Sequence, residues 1–356
     1  MRAPPGRGGA QLRLEPWSVT HGASWQDDGP HDDDTGGAEA LDEAAVSVEL
    51  PLAEWRGLTP TAPAAVSRVW FLDGIRRVEA RAVLDTADGQ RFAAIGSCAV
   101  GAVECAPDGS APAAMCAGPI TERWCAVAAA SVDLPDLLVG AGAAGAATYR
   151  VVACPGDDHQ APTLELQRRM RAAEVRLVGE LRARLAAQGR TTAGGAPLLV
   201  CDGPRPYVGP DERVVGYVKT VQQQRLPLAA FRVVRALEAG ERSPVYLVGS
   251  GPQARFEWYL RLRDPRPWLH SLAGSVRLQA HAGERPHELL AAAKAVADWS
   301  AANLGRFATR AHQDPRAPQQ LLPVRALEET LRRRLGNPQL LRRRLEVALA
   351  AGSGAA

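Results

Sequence analysis

Two short apolar segments that each run into Asp-Gly do most to limit the fold of this chain. The first, residues 68–72, precedes Asp73-Gly74, and the second, residues 196–201, precedes Asp202-Gly203. Such runs predict buried strands, and ligands commonly bind beyond the carboxyl ends of strands in α/β sheets. Because Asp-Gly is also a common turn dipeptide, two plain turns remain the competing interpretation from these residues alone.

Strand and helix signals surround the two segments. Residues 77–85 and 91–103 predict a hairpin around residues 87–89, and short strands are predicted over residues 46–50 and in TYRVVAC, which ends at Cys154. The clearest helix covers residues 162–188, where five apolar side chains recur at helical spacing. These five are Leu164, Met170, Leu177, Leu181 and Leu185.

The remaining sequence predicts a second half of the same sheet and closing helices. Strand signals lie in GYVKT, PVYLVG, FEWYLRL and SVRLQA, and helices are predicted over residues 228–238, 286–302 and 324–350 with a break at Gly336. The predicted order along the chain is a strand with Asp, two strands, a helix with Glu and a second strand with Asp, and this order resembles that of ribonuclease H-like sheets. We therefore expect an α/β fold, a ribonuclease H-like mixed sheet flanked by helices, with additional strands and C-terminal helices.

Composition excludes several classes of protein. A net charge of +3 over 356 residues does not by itself indicate a nucleic-acid binder, although arginines cluster at residues 168–184, 255–266 and 332–344. The six cysteines form no CxxC pair, so neither a zinc nor a redox site is predicted. With no signal peptide and no run of about 18 apolar residues, we expect a cytoplasmic protein without membrane contact.

Paired carboxylates suggest a metal site. Asp73 and Asp202 on adjacent strands can approach closely only with a cation between them, and a helical Glu is the natural third ligand. Glu174 and Glu180 cannot share one helix face, and we favour Glu174 because it lies beside the apolar stripe. Oxygen ligands favour Mn²⁺ or Mg²⁺, which activate water in phosphodiester hydrolysis.

Basic residues offer phosphate contacts. Lys219 follows Tyr217 at a predicted strand end, where an ammonium and a phenol can hold a phosphate; a simply solvated lysine is the alternative. Arg261, Arg263 and Arg277 alternate along strands and would point one way, as a track for DNA phosphates or as ordinary surface charge.

Five ordered blocks together resemble the NurA nuclease family, especially its bacterial members. They are WFLDGIRRVEAR, LLVCDGP, VVGYVKT, ERSPVYLVG and HQDPRAPQQLLPVRALEETLRRRLGN. The resemblance implies a nuclease domain over residues 46–345, between an N-terminal segment with a flexible acidic loop (1–45) and a C-terminal tail (346–356). It also implies a ribonuclease H-like core, manganese-dependent DNA cleavage, a homodimer, and a hexameric HerA/FtsK-like ATPase partner in DNA end resection.

The family motifs transfer residue by residue. Asp73 matches the first metal-binding Asp, Glu174 the helical Glu, Asp202 the second Asp, and Lys219 the basic residue after the fourth strand. The chain departs from the family pattern at Ile75, where Ser is frequent. His312 and Asp314 are the best substitutes for a C-terminal His ligand, and a loop-holding role for them is the alternative.

Three functions follow as hypotheses. The first is a metal-dependent DNA exonuclease and single-strand endonuclease acting in double-strand break repair. The second is a catalytically weak or inactive adaptor for a DNA-translocating ATPase. The third is an unrelated ribonuclease H-like enzyme that acts on RNA or a hybrid.

Overall fold

The computed structural model describes residues 11–14, 40–60, 65–110, 113–140, 146–187, 195–209, 213–219, 224–264, 271–314 and 316–353. Most of the acidic loop predicted in the first 45 residues lies outside these ranges. No helix among the described residues combines the length and apolar character needed to cross a membrane.

Eleven strands and six α-helices make up the described chain. The strands are β1 Gln11–Leu14, β2 Val69–Thr86, β3 Gly89–Cys105, β4 Ala114–Ala128, β5 Leu137–Val139, β6 Ala147–Cys154, β7 Leu198–Asp202, β8 Val214–Val218, β9 Tyr246–Val248, β10 Arg255–Arg261 and β11 Ser275–His281. The helices are α1 Glu43–Val46, α2 Ala161–Ala187, α3 Leu228–Ala236, α4 Pro286–Asn303, α5 Leu322–Leu335 and α6 Pro338–Ser353.

All the strands join one mixed sheet. Its order is β5-β6-β4-β3-β2-β7-β8-β11-β10-β9, with β1 paired to the outer part of β2. Strands β2 and β3 form the hairpin predicted around residues 87–89, and β4 adds a third antiparallel strand. On the other side of β2, β7 and β8 continue parallel to it. The fold is therefore α/β with a large mixed sheet flanked by helices.

Helices cover both faces of the sheet. Successive side chains of β2 point to opposite faces, so its apolar run presents apolar side chains to both. Trp70 and Leu72 pack against the apolar stripe of α2, which confirms the predicted helix. Val69 and Phe71 face the opposite core, which contains the apolar residues of α4 and α5. The central strand is thus buried between two helical layers, as its continuous apolar run predicts.

The prediction that a strand ends at Asp73-Gly74 is wrong. Strand β2 continues through both residues, which pair with Gly101 and Val100 on β3, and runs to Thr86 with a bulge between Val78 and Ala80. The local turn signal is overridden by the long ladder with β3. The second prediction is confirmed, because β7 ends at Asp202.

Two predictions at the ends of the domain also change. Residues 46–50 form no strand; instead α1 ends at Val46, and the Asp42 carboxylate accepts a hydrogen bond from the backbone N–H of Ala45 as an N-cap. The domain boundary drawn at residue 345 falls inside α6, which runs to Ser353, three residues beyond the helix end predicted at residue 350.

Candidate metal centre

Three carboxylates from separate elements meet in one cleft. Asp73 of β2, Asp202 at the end of β7 and Glu328 of α5 each offer an oxygen atom, and these oxygens all lie within 4.8 Å of one another. Asp73 and Glu328 are buried, and Asp202 is partly buried. Such a set of oxygen ligands suits Mn²⁺ or Mg²⁺.

The position of Asp73 follows from an interruption in strand pairing. On one side of β2, β7 pairs only through Leu72, and β1 begins to pair only at Ala82. Among the described strands, none pairs with this side of β2 between those points. Asp73 is therefore the first residue of an open sheet edge, and its Oδ1 accepts a hydrogen bond from the N–H of Gly74 at 2.8 Å.

A tight turn places Asp202 beside Lys219. Gly203 has a φ of +91°, a conformation that favours glycine, and it exchanges two backbone hydrogen bonds of 2.9 Å with Tyr217. This bridge aligns the ends of β7 and β8. The Nζ of Lys219 then donates a hydrogen bond to Asp202 Oδ2 at 2.5 Å.

Glu328 is the ligand candidate that the sequence interpretation missed. Arg316 donates to both of its carboxylate oxygens at 3.1 Å, and Gln320 Nε2 donates to Oε1 at 2.8 Å. Arg332 also donates to Oε2. Burial alone would raise the pKa of Glu328, but the hydrogen bonds and charge of Arg316 outweigh it and hold the pKa below its ordinary value.

Asp73 has the opposite balance. Burial raises its pKa well above the ordinary range, and the negative charge of Asp202 adds to that shift. Lys219 opposes the shift, whereas Glu328 and Glu174 reinforce it. A buried carboxylate surrounded by other carboxylates is stabilised in its ionised form by a cation, so the electrostatics fit a metal ion at this position.

Glu174 lies in the same cleft but is held differently. It is buried on α2, where its Oε2 accepts a hydrogen bond from Arg171 at 3.0 Å. Burial raises its pKa, and Arg171 opposes that shift. A Cβ on Gly74 would lie 2.5 Å from Glu174 Oε1, so the glycine leaves room for this carboxylate. Glu174 is thus near the cluster of three without belonging to it.

The structure separates three of the predicted site residues, Glu180, His312 and Asp314, from the cleft. Glu180 is exposed on α2, and His312 is exposed on a loop; neither lines the cleft. Asp314 is buried and accepts hydrogen bonds from Arg316, so it acts on Glu328 only through that arginine. This matches the loop-holding alternative for Asp314.

Tyr217 lines the cleft, yet its hydroxyl is already engaged. It donates a hydrogen bond to the carbonyl of Gln319 at 2.8 Å, and Gln319 Nε2 donates to the carbonyl of Lys219. Lys219 also donates to the side chain of Gln320. These contacts fix the loop before α5 against the end of β8, which brings Glu328 to Asp202 and Lys219.

The proposed phosphate track on the distal strands is wrong for two of its three members. Arg261 is 1% exposed and donates hydrogen bonds to four backbone carbonyls. Arg277 is buried beside Glu257. The two arginines share one face as alternation predicts, but the core that includes α3 covers that face. Arg263 is exposed beyond the end of β10 and lies outside the cleft.

The cleft has a volume of about 1020 Å³ and contains all four carboxylates together with Lys219. This arrangement can bind a divalent cation and place an ammonium group next to it. Neither protein-family models nor curated proteins yield a match to this chain.

Proposed function

We propose that this protein is a metal-dependent DNA nuclease. The observation that carries the proposal is the convergence of Asp73, Asp202 and Glu328 within 4.8 Å, with Lys219 against Asp202. Oxygen ligands around a buried centre are typical of sites that hydrolyse phosphodiesters with Mn²⁺ or Mg²⁺. The alternative of an inactive adaptor does not require four carboxylates to lie in one cleft.

Each residue has a role in this proposal. Asp73, Asp202 and Glu328 would hold the cation, whose chemistry would be to activate water and to neutralise charge on the phosphate. Lys219 lies at the rim of the cluster, where its ammonium can stabilise a phosphate oxygen. Arg316 and Gln320 keep the Glu328 carboxylate ionised and fixed in orientation.

The strand order supports a ribonuclease H-like core. Across the sheet, the antiparallel strands β4, β3 and β2 are followed by the parallel strands β7 and β8. Along the chain, α2 lies between this antiparallel part and β7. The carboxylates Asp73 and Asp202 lie on β2 and β7, which are the first and the fourth strands in the chain order β2, β3, β4, β7. Together with the resemblance to the NurA family, this favours DNA end resection in the cytoplasm. We extend the proposal to a homodimer that works with a HerA/FtsK-like ATPase.

A cleavage assay tests the proposal. Labelled single-stranded DNA, duplex DNA, RNA and an RNA–DNA hybrid are incubated with the wild type and Asp73→Asn, with Mn²⁺ or with chelator. We expect manganese-dependent DNA cleavage by the wild type alone. DNA cleavage that survives in Asp73→Asn would contradict the assigned site. Cleavage of RNA with DNA spared would assign a different substrate.

A further inference from the structure

The cleft extends well beyond the carboxylates. It follows the open edge of β2 from Asp73 to Arg81, with α2 on one side and the end of α5 on the other. At about 3.3 Å per residue, the eight positions between Asp73 and Arg81 span roughly 25 Å. The cleft is therefore a channel that begins at the metal centre and ends at an arginine.

Charge is arranged differently at the two ends of this channel. At the inner end the four carboxylates lie among the cationic side chains of Arg171, Lys219, Arg316 and Arg332, whereas the outer end is lined by Arg77 and Arg81 and by the neutral side chains of Thr163 and Gln167. Arg77 is engaged with Glu79 and with the backbone carbonyls of residues 335 and 336. Its charge is thus fixed in place at the channel wall.

Arg81 is different, because it lines the channel and its guanidinium group makes no hydrogen bond or ion pair with any described residue. Its Nε is buried, whereas its two terminal nitrogens are not among the buried atoms. The guanidinium group presents donors in a planar fork that matches a phosphate. The terminal nitrogens of Arg81 can therefore donate to an incoming phosphodiester.

We propose that Arg81 is a phosphate-binding residue for a single DNA strand whose scissile bond lies at Asp73. This inference rests on the proposed function for its substrate class. At about 3.4 Å per phosphate, the channel spans roughly seven nucleotides of stacked strand, and fewer of an extended one. Arg81 thus binds the strand several phosphates away from the bond that is cut.

The shape of the channel favours one strand over two, because the channel follows the edge of a single β-strand between α2 and the end of α5. We therefore expect one extended DNA strand to bind along it.

A length series of oligonucleotides tests the assignment. Fluorescent single strands of about three to about twelve nucleotides are titrated with full-length wild type and Arg81→Ala in chelator, so that binding is scored without cleavage. We expect wild-type affinity to rise once the strand reaches Arg81. Arg81→Ala should bind long strands about tenfold more weakly than the wild type and the shortest strands equally well. The slope of its log affinity against log salt concentration should be shallower by about 0.7.

Three comparisons keep the result interpretable. Arg285→Ala, which removes an exposed arginine outside the cleft, should bind like the wild type. Arg81→Lys retains the positive charge but not the planar set of donors, so it should recover part of the affinity that Arg81→Ala loses. This variant keeps the assignment testable if Arg81→Ala does not fold. Duplexes of equal length should bind more weakly and without dependence on Arg81.

The assignment is overturned if Arg81→Ala and the wild type bind every length equally, or if duplexes show the same dependence on Arg81. Because these titrations contain no metal, they measure DNA binding independently of DNA cleavage. A protein that binds strands through Arg81 but never cuts them would refute the nuclease proposal alone.

Discussion

Asp73 on β2 and Glu328 on α5 offer carboxylate oxygens within 4.8 Å of each other, with Asp202 completing the set. The loop before α5 makes this contact, since Gln320 donates to Glu328 and accepts from Lys219. The C-terminal part of the chain thus completes a site that begins on the central strand.

The identity of the third ligand is testable by comparing Glu328→Gln with Glu174→Gln. Because Glu328 belongs to the cluster and Glu174 is paired with Arg171, we expect Glu328→Gln to weaken manganese binding at least 100-fold and Glu174→Gln by roughly 10-fold or less. Isothermal titration gives both affinities. The reverse order would make Glu174 the ligand.

Gly74 is expected to be intolerant of a side chain because of Glu174. A Cβ would lie 2.5 Å from Glu174 Oε1 and 3.2 Å from Met170 Cγ, so Gly74→Ala should lower the free energy of unfolding by about 1–3 kcal/mol. In Gly74→Ala/Glu174→Ala the clash with Glu174 is removed and the close contact with Met170 remains, so much of the lost stability should return. Additive losses in urea unfolding would show that the two positions do not interact.

Arg242 holds the segment after α1 to the sheet. It is 2% exposed and donates to Glu49 at 2.8 and 2.9 Å and to Asp298. Arg242→Ala removes the guanidinium group from both carboxylates, leaving Glu49 the backbone N–H of Val245 and the ammonium group of Lys294 at 3.7 Å. It should reduce the free energy of unfolding by roughly 3–5 kcal/mol. The exposed pair of Arg68 and Glu104 is the control, since Arg68→Ala should cost about 0–1 kcal/mol.

The same ion pair predicts a pH dependence. Burial alone would raise the pKa of Glu49, but the hydrogen bond and charge of Arg242 outweigh it and hold the pKa below the ordinary value of 4.5. The folded state then binds fewer protons than the unfolded state, so this stabilisation is present above about pH 4.5 and is lost as the pH falls through the folded pKa. In Glu49→Gln the free energy of unfolding should therefore fall less steeply as the pH is lowered below about 4.5. The same decrease in Glu49→Gln as in the wild type would contradict this.

Arg261 is expected to serve stability alone. Its guanidinium group is bonded to four carbonyls in the interior, so Arg261→Ala should lower the melting temperature markedly and leave DNA affinity per folded molecule unchanged. Arg263→Ala should alter neither property. A selective loss of DNA affinity in Arg261→Ala, measured by fluorescence anisotropy on protein shown to be folded, would restore the phosphate track.

Local sequence patterns predicted the main helices and strands, because the side chains that each element buries recur along the sequence with the period of that element. The apolar run of β7 is buried, four of the five apolar positions of α2 face the core while Leu164 is exposed, and Asp73, Asp202 and Lys219 meet in one cleft. The continuation of β2 past Gly74 was not predictable locally, since it depends on pairing with β3. Burial of Arg261 likewise depends on which helix covers that face of the sheet.

Glu328 had a signal in the sequence that was not used. It lies four residues after Val324 and three before Leu331, so it shares the buried face of α5 with them. An ionisable side chain on a buried helix stripe is a candidate for a functional site. Its approach to Asp73 depends on the whole chain between β2 and α5, which no local pattern describes.

Calorimetric titration with Mn²⁺ tests the central claim most directly, because it measures the metal centre without reference to any substrate. Wild type, Asp73→Asn and the control Asp88→Asn, which alters an exposed turn on the β2–β3 hairpin, are compared at the same pH. We expect binding by the wild type and the control and none by Asp73→Asn. Equal binding by all three, or no binding by the wild type, would contradict a metal centre formed by Asp73, Asp202 and Glu328.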